Sequence, residues 1–492
     1  MSVKLSAAAL AQLPADVAAP SYERSHLSAG VMHFGVGNFH RAHQAVYLDD
    51  LFAAGRDHDW AIVGAGVRDA DTAVREKLEA QDWLTTVVAQ EAHSASARVT
   101  GAMIDFVRPF DVAANLDMLA RSNIRIVSLT VTEGGYYISP ATQKFDLDHP
   151  DIVADAHEID APKTVFGLIV AGLKRRRAAG VAPFTVMSCD NIPGNGHVCE
   201  NAVAGLAELA DPELAQWIRR NVAFPNSMVD RITPATTDRE RAILRDQYGL
   251  EDNWPVFCEE FRQWVVEDKF PAGRPALETV GVTFTSDVAP YELMKIRILN
   301  GGHAAIAYPA GLLGIHFVHE AMEDAQIRAF LEALTKREIM PVVPPPPGVD
   351  LEEYRALIAR RFANPKIGDT ITRLCFDGSN RQPKFILPTV RDRLKTGASV
   401  KGLALVSALW CRYCAGETES GQAIAPNDPS WERIQAAAKS ARGNPPAFLA
   451  MRDIFDELAD SPAYVEAFSA ALSALRARGV RQTLADYLSD AA

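Results

Sequence analysis

The sequence predicts an α/β domain built on a mainly parallel sheet, followed by a mostly α-helical domain. Three observations carry this. From about residue 30 to about 285, short β-rich runs that are apolar throughout alternate with amphipathic helical runs, the pattern of strands covered by helices on both faces. From about residue 290 the texture changes to long helical patterns. The chain has 492 residues and is 48% hydrophobic, which fills two cores more simply than one. The expected domains are 1–284 and 285–492.

In chain order, "VMHFGV" (Val31–Val36) is the first strand, and "FHRAHQAVYLDDLFAAG" has helical spacing. "WAIVGAGV" (Trp60–Val67) is a second strand and "IRIVSLTV" (Ile124–Val131) a later one. "TVFGLIVAGLKRRRAAG" reads as a helix whose "KRRR" (Lys174–Arg177) is a solvated terminus, since cations favour helix C-terminal ends. "FTVMSC" (Phe184–Cys189) is a further strand. In the second domain, "DAQIRAFLEALTKREI" and "PAYVEAFSAALSALRARG" are long helices. "PVVPPPPGVD" (Pro341–Asp350) is extended, polyproline-like connector.

The net charge of −12 argues against nucleic acid, whose phosphates need a basic face. The N-terminal alanine stretch is interrupted by Gln12, Pro14 and Asp16 and is no convincing signal peptide. The window "GLALVSALW" (Gly402–Trp410) is too short to cross a bilayer. Six scattered cysteines suit free thiols in a reducing cytoplasm. Cys411 and Cys414 form one C-x-x-C with no second pair, so packed thiols are expected rather than zinc. His40/His43 and His316/His319 lack the H-E-x-x-H form, and no metal is expected.

"HFGVGNFHRAH" places Gly35 and Gly37 directly after the first strand. One glycine serves a tight turn and the second lets a ligand pyrophosphate approach the backbone. The third glycine of the usual fingerprint is replaced by His40, which with Phe39 is expected at the cofactor turn. The second strand ends in "GVRDAD", and Asp69 or Asp71 can bond the adenosine ribose hydroxyls. Their distance from Gly37 exceeds the usual spacing of about 20 residues, which requires a long intervening helix. A carboxylate there favours NAD, whereas Arg68 can receive a 2′-phosphate instead. The loops "TEGGYY" (Thr132–Tyr137), carrying Glu133 and Gly134, and "SCDNIPGNG" (Ser188–Gly196) follow strands and belong at the sheet's carboxyl edge, where ligands bind.

"LMKIRILNGGH" (Leu293–His303) sets Lys295, Asn300 and His303 in an apolar run. At about 100° per residue, Glu292, His303 and Asn300 lie at about 60°, 80° and 140° from Lys295, and Arg297 about 200° away. A polar stripe on a surface helix is the plain alternative, made less attractive by the apolar flanks. A lysine whose pKa is depressed by burial can remove a hydroxyl proton. Amides such as Asn300 and Asn191 can stabilise the resulting alkoxide, and His303 can orient the substrate. Tyr291 and Lys295 also form Y-x-x-x-K, in which tyrosine is the base, but without that pattern's accompanying glycines.

The motifs "HFGVGNFHRAHQAVYLDDL", "TVTEGGYY", "TVMSCDNIPGNG", "FPNSMVDRITP" and "KIRILNGGH" occur here in the order found in the polyol-specific long-chain dehydrogenases. The chain resembles that family from about residue 25 to near its C-terminus. The resemblance implies a Rossmann-type N-terminal domain, a mostly helical C-terminal domain and a metal-independent active site between them. It implies Lys295 as general base, Asn191 and Asn300 as the oxyanion pair, His303 beside the substrate oxygen and Glu292 in proton exit. Asp230 and Arg373 match positions around the polyol, and Asp71 is the closer match to the NAD-selecting aspartate. "DGSNRQPK" has Arg381 where the family commonly has lysine, which bears on polyol preference because arginine bonds as a planar fork. The expected reaction is NAD-dependent oxidation of a polyol to a ketose, D-mannitol to D-fructose above others, by a cytoplasmic monomer. D-arabinitol and the hexuronates are the alternatives within the family, and a non-catalytic NAD- or sugar-binding regulator the alternative outside it.

Overall fold

The computed structural model describes residues 2–139 and 144–490. The chain divides into two compact units, Met1–Ala289 and Pro290–Ala492. In the first, five strands form one parallel sheet: β1 (Ala29–Phe34), β2 (Ala61–Ala65), β3 (Met103–Phe106), β4 (Ile126–Leu129) and β5 (Thr185–Ser188). Their spatial order is β3-β2-β1-β4-β5, so the chain reverses direction of growth between β1 and β4. That is the topological switch point at which open parallel sheets bind ligands.

The strands are largely apolar because both faces are covered. Met32, Phe34, Val127, Leu129 and Val186 pack on one side, with helix residues such as Phe166 and Ile169. Val31, Ile62, Ile126 and Met187 pack on the other, with Leu48, Leu51 and Phe52. Three smaller sheets accompany this one. Val17–Ala18, Thr85–Gln90, Ala95–Thr100 and Val256–Glu259 make a mixed four-stranded sheet, and Val3–Lys4 pairs with Leu250–Glu251. Strands β6 (Ser227–Asp230), β7 (Gln263–Glu267) and β8 (Thr283–Thr285) make the third, with β6 antiparallel to β7.

Three sequence expectations differ from the structure, two of them in the first unit. The helix after β1 is broken: α1 (Asn38–Ala42) and α2 (Gln44–Ala53) meet at His43, whose φ of −123° and ψ of −84° are not helical. The long spacing to Arg68 and Asp71 is therefore filled by two helices and a 3₁₀ turn (His58–Trp60), not by one long helix. The "KRRR" terminus is not wholly solvated either. Arg176, in helix α3 (Val165–Ala179), is 2% exposed and donates to the carbonyls of Leu119 (2.7 Å), Ile124 (2.5 Å) and Ala182 (2.6 Å). Its guanidinium collects backbone acceptors that the loop before β4 would otherwise bury unpaired.

The second unit is helical. Helix α4 (Ala289–Met294), a π-helical turn (Lys295–Asn300) and α5 (Gly301–Leu312) run on as one rod. Its core includes Ile306, Tyr308, Leu334, Leu405 and Trp410. The terminal helix Pro462–Ser489 is interrupted at Gly479 (φ 78°). The proline segment opens with a 3₁₀ turn over Met340–Val342 rather than being extended throughout. It ends at Asp350, whose carboxylate accepts the Glu352 and Glu353 N–H groups and starts helix α6 (Leu351–Phe362). Cys411 and Cys414 are buried free thiols in that core. Among the described residues, no helix is long and apolar enough to cross a membrane.

Candidate active site

In the first unit the switch point is occupied by the glycine turn. Gly35 has φ +94°, and a Cβ there would stand 2.2 Å from the Thr130 carbonyl oxygen, so only glycine fits. The Gly37 N–H donates to the Gly35 carbonyl at 2.7 Å. A Cβ on Gly37 would meet only that carbonyl, at 3.7 Å, which leaves its surface open to a ligand backbone. Phe39 is half-buried and stacks on His43 at 4.8 Å between ring centroids. His40 is 1% exposed and stacks on His33 at 3.5 Å. His33 in turn bonds Ser128 Oγ (2.8 Å) and Thr130 Oγ1 (2.9 Å). Burial keeps all three histidines neutral, pushing His33 and His43 down to about 3 and His40 well below its usual value.

At the end of β2, Asp71 is committed to its own loop. Oδ2 accepts the N–H groups of Val67 and Arg68, both at 3.0 Å, and Oδ1 pairs with the Arg68 guanidinium at 3.0 Å. Asp69, the first residue of its helix, is exposed. The expectation that Asp71 rather than Asp69 meets the ribose is thus weakened by geometry, and Arg68 is partly neutralised by the residue holding it.

The "VDRITP" stretch gains a physical role. Arg231 donates to the carbonyls of Glu259 (2.9 Å) and Ala42 (2.5 Å), and Asn38 Nδ2 donates to the Pro234 carbonyl at 3.1 Å. The segment therefore buttresses α1 and its glycine turn, while Asp230 ends β6 at 6% exposure.

After β4, Thr132 has φ +67° and leads into a 3₁₀ turn (Glu133–Tyr136) on which Glu133 and Gly134 are exposed. Asp190, which sequence reading passed over, holds this turn. Its carboxylate accepts the N–H groups of Val131 (3.0 Å) and Thr132 (2.8 Å) and the Tyr136 hydroxyl (2.8 Å). Asn191 follows it directly and is exposed. The signal was an acid two residues past the end of a buried strand.

In the second unit, Lys295 is 8% exposed and begins the π turn. A turn closed by i→i+5 bonds brings Asn300 roughly one turn above Lys295, closer in phase than the 140° expected from α-helical stepping. Asn300 Oδ1 and His303 Nε2 are buried and have no protein partner. His303 stacks on Phe362 at 4.1 Å. Its burial, with Arg373, Arg381 and Arg361 nearby, holds its pKa well below the usual value, so the ring is neutral. Arg373 is paired with Asp369, and Arg381 donates to the Leu374 carbonyl at 2.8 Å. Glu292 is half-buried in the last turn of α4. Tyr291, the rival base, is 5% exposed and turns its hydroxyl to the Pro347 carbonyl at 3.4 Å.

Arg297 is a second residue missed as functional support. It leaves the π turn on the opposite side and donates to Thr389 Oγ1 (2.5 Å) and Asp392 (2.8 Å) on helix α7 (Leu387–Lys395). Among the described residues, no group of three or more His, Cys, Asp or Glu side chains is placed to hold a metal ion.

Comparison with known proteins bears on these sites as a set. Residues 29–279 match the mannitol dehydrogenase Rossmann domain and residues 287–476 the mannitol dehydrogenase C-terminal domain. A mannitol 2-dehydrogenase of Cereibacter sphaeroides is 56% identical over 475 residues, 96% of this chain and 99% of its own. One of Phaeosphaeria nodorum is 40% identical, covering 99% of this chain and 86% of its own. Among solved structures, Pseudomonas fluorescens mannitol 2-dehydrogenase in ternary complex with NAD and D-mannitol matches with a TM-score of 0.88 at 43% identity, covering 99% of this chain and 100% of that one. A substrate-free D-sorbitol dehydrogenase matches with a TM-score of 0.91 at 35% identity, covering 98% and 100%.

Proposed function

We propose, for a chain that belongs to the mannitol dehydrogenase family, a reversible, metal-independent oxidation of D-mannitol in which D-mannitol and NAD⁺ give D-fructose, NADH and a proton. The cofactor is NAD. The residues fit it: Gly35 lets the turn close on the Thr130 carbonyl, Gly37 leaves its surface open to a pyrophosphate, and Asp69 offers an open carboxylate near the end of β2. Phe39, Glu133 and Gly134 border the same turns. Bound NAD⁺ supplies the acceptor for the carbinol hydride.

The chain's residues do the rest. Lys295, unprotonated, takes the hydroxyl proton, while the Asn191 and Asn300 amides donate to the oxygen as negative charge develops. His303, kept neutral, bonds that oxygen without adding a charge. Glu292 passes the proton outward, and Asp230, Arg373 and Arg381 bind the remaining hydroxyls. The observation that carries this reading is the buried His303 Nε2, left without a protein partner on the rod that carries Lys295; Asn300 Oδ1, likewise without one, can accept from a neighbouring substrate hydroxyl. Buried polar groups usually have a hydrogen-bond partner, and a bound ligand is one way to supply it.

The three arginines near His303 favour a second reading, a hexuronate whose carboxylate they would bind. The test is initial NADH formation at mildly alkaline pH from D-mannitol, D-arabinitol and D-sorbitol, with a chelator present. Preference for mannitol is expected. No turnover of any polyol, with D-fructuronate reduced by NADH, would move the protein to the uronates.

A further inference from the structure

We propose that Asp190 is a positioning residue that locks the turn carrying Glu133 and Gly134 to the peptide of Asn191, so that cofactor binding and alkoxide stabilisation depend on one buried carboxylate. The inference rests on the reading of Asn191 as an oxyanion donor.

Asp190 sits at the carboxyl end of β5, next to the switch point, and is 7% exposed. Its carboxylate accepts the N–H groups of Val131 and Thr132, one on each oxygen, and the Tyr136 hydroxyl, with the Glu133 carboxylate close enough to be felt. The Tyr136 oxygen also lies 2.5 Å from Ser188 Oγ on β5 itself. These bonds hold Thr132 at φ +67°, a conformation that a threonine does not keep unaided.

The backbone of Asp190 is fixed as firmly. Its carbonyl accepts the Ile192 N–H (2.9 Å) and Asn195 Nδ2 (3.0 Å). Asn195 is fully buried and is itself bonded to Ser227, through Nδ2 to the carbonyl (2.8 Å) and through Oδ1 from the N–H (2.9 Å). Asn191 is therefore the single residue between a carbonyl held by two donors and an N–H that makes one of those bonds. Its side chain has few backbone settings available, and the carboxylate just before it ties those settings to the Glu133–Tyr136 turn. An amide in place of the carboxylate keeps the shape, but its Nδ2 would confront an N–H donor and release one end of the turn.

The test is a double-mutant cycle on the full-length protein, reading kcat with D-mannitol and NADH affinity by fluorescence. Asp190→Asn is expected to lower kcat 10- to 100-fold and weaken NADH binding several-fold. Combined with Asn191→Ala, it should lower kcat no further than Asn191→Ala alone, because the amide it positions is gone. Tyr136→Phe removes one donor and should shift both readouts the same way by less; it serves if Asp190→Asn does not fold. Multiplicative losses in the double variant would overturn the proposal, as would an Asp190→Asn enzyme within twofold of wild type in both readouts. If Asn191→Ala alone turns over normally, the oxyanion reading falls. NADH affinity then decides the brace: weaker binding in Asp190→Asn upholds it, and unchanged binding overturns it.

Discussion

His33, His40 and His43 show how a buried imidazole can be structural within the very motif that marks a cofactor turn. His33 is fully buried between Ser128 and Thr130, and His43 Nε2 meets the Gln263 carbonyl at 2.9 Å. Both have folded pKa values of about 3, below the ordinary value of an unfolded histidine, about 6.5. The unfolded chain therefore binds protons first. Stability is full above pH 6.5 and is lost as the pH falls toward 3, at about 2 kcal/mol per histidine between pH 6.5 and 5. Urea unfolding at pH 7.5, 6.5 and 5 checks this. His33→Asn, which keeps polar atoms beside Ser128 and Thr130, should make the acid slope shallower by about one proton, and an unaltered slope would show that His33 titrates normally. The same motif shows what sequence could not supply. Gly35 was legible because a glycine after a strand has a steric meaning; the burial of His40 was not, because it depends on the break at His43.

At the scale of elements, the π turn carries both Lys295 and Asn300, the proposed base and one of the proposed amide donors. "KIRILN" carries the apolar spacing of an ordinary helix, and the wider turn adds less than one residue to each circuit, too little to disturb a pattern six residues long. What sustains it is tertiary: Arg297, 6% exposed, reaches Thr389 and Asp392 on α7. Arg297→Met should cost about 1–3 kcal/mol of stability and lower turnover more than tenfold while NADH affinity stays unchanged. Thermal melting and steady-state kinetics on the same preparation separate the two effects. An Arg297→Met enzyme with normal kcat would mean that the turn holds itself. Four of the five parallel strands were legible because burial on both faces keeps them largely apolar; Met103–Phe106, short and carrying an exposed Asp105, was not. The small sheets were not, since Ala95–Thr100 shows no regular alternation of exposed and buried positions and takes its register from partners such as Thr85–Gln90. Arg176 was misread for a related reason: charge in a sequence says nothing of the carbonyls that fold around it.

At the scale of the molecule, recognition did not depend on any single motif. G-x-G without its third glycine, Y-x-x-x-K and a lone C-x-x-C each admit several readings. Five segments in fixed order from residue 33 to residue 303 admit far fewer, and matches over both 29–279 and 287–476 agree with them. Substrate choice is less legible, because a single exchange such as arginine at position 381 leaves the order of motifs unchanged. The central claim is that Lys295 is the base. Its most direct measurement is the turnover of Lys295→Ala with D-mannitol and NAD⁺, taken beside its affinity for NADH. Loss of a positioned base is worth about 10²–10⁴-fold, so turnover should fall by that factor while NADH binds within twofold of wild type. Near wild-type turnover in Lys295→Ala would contradict the account.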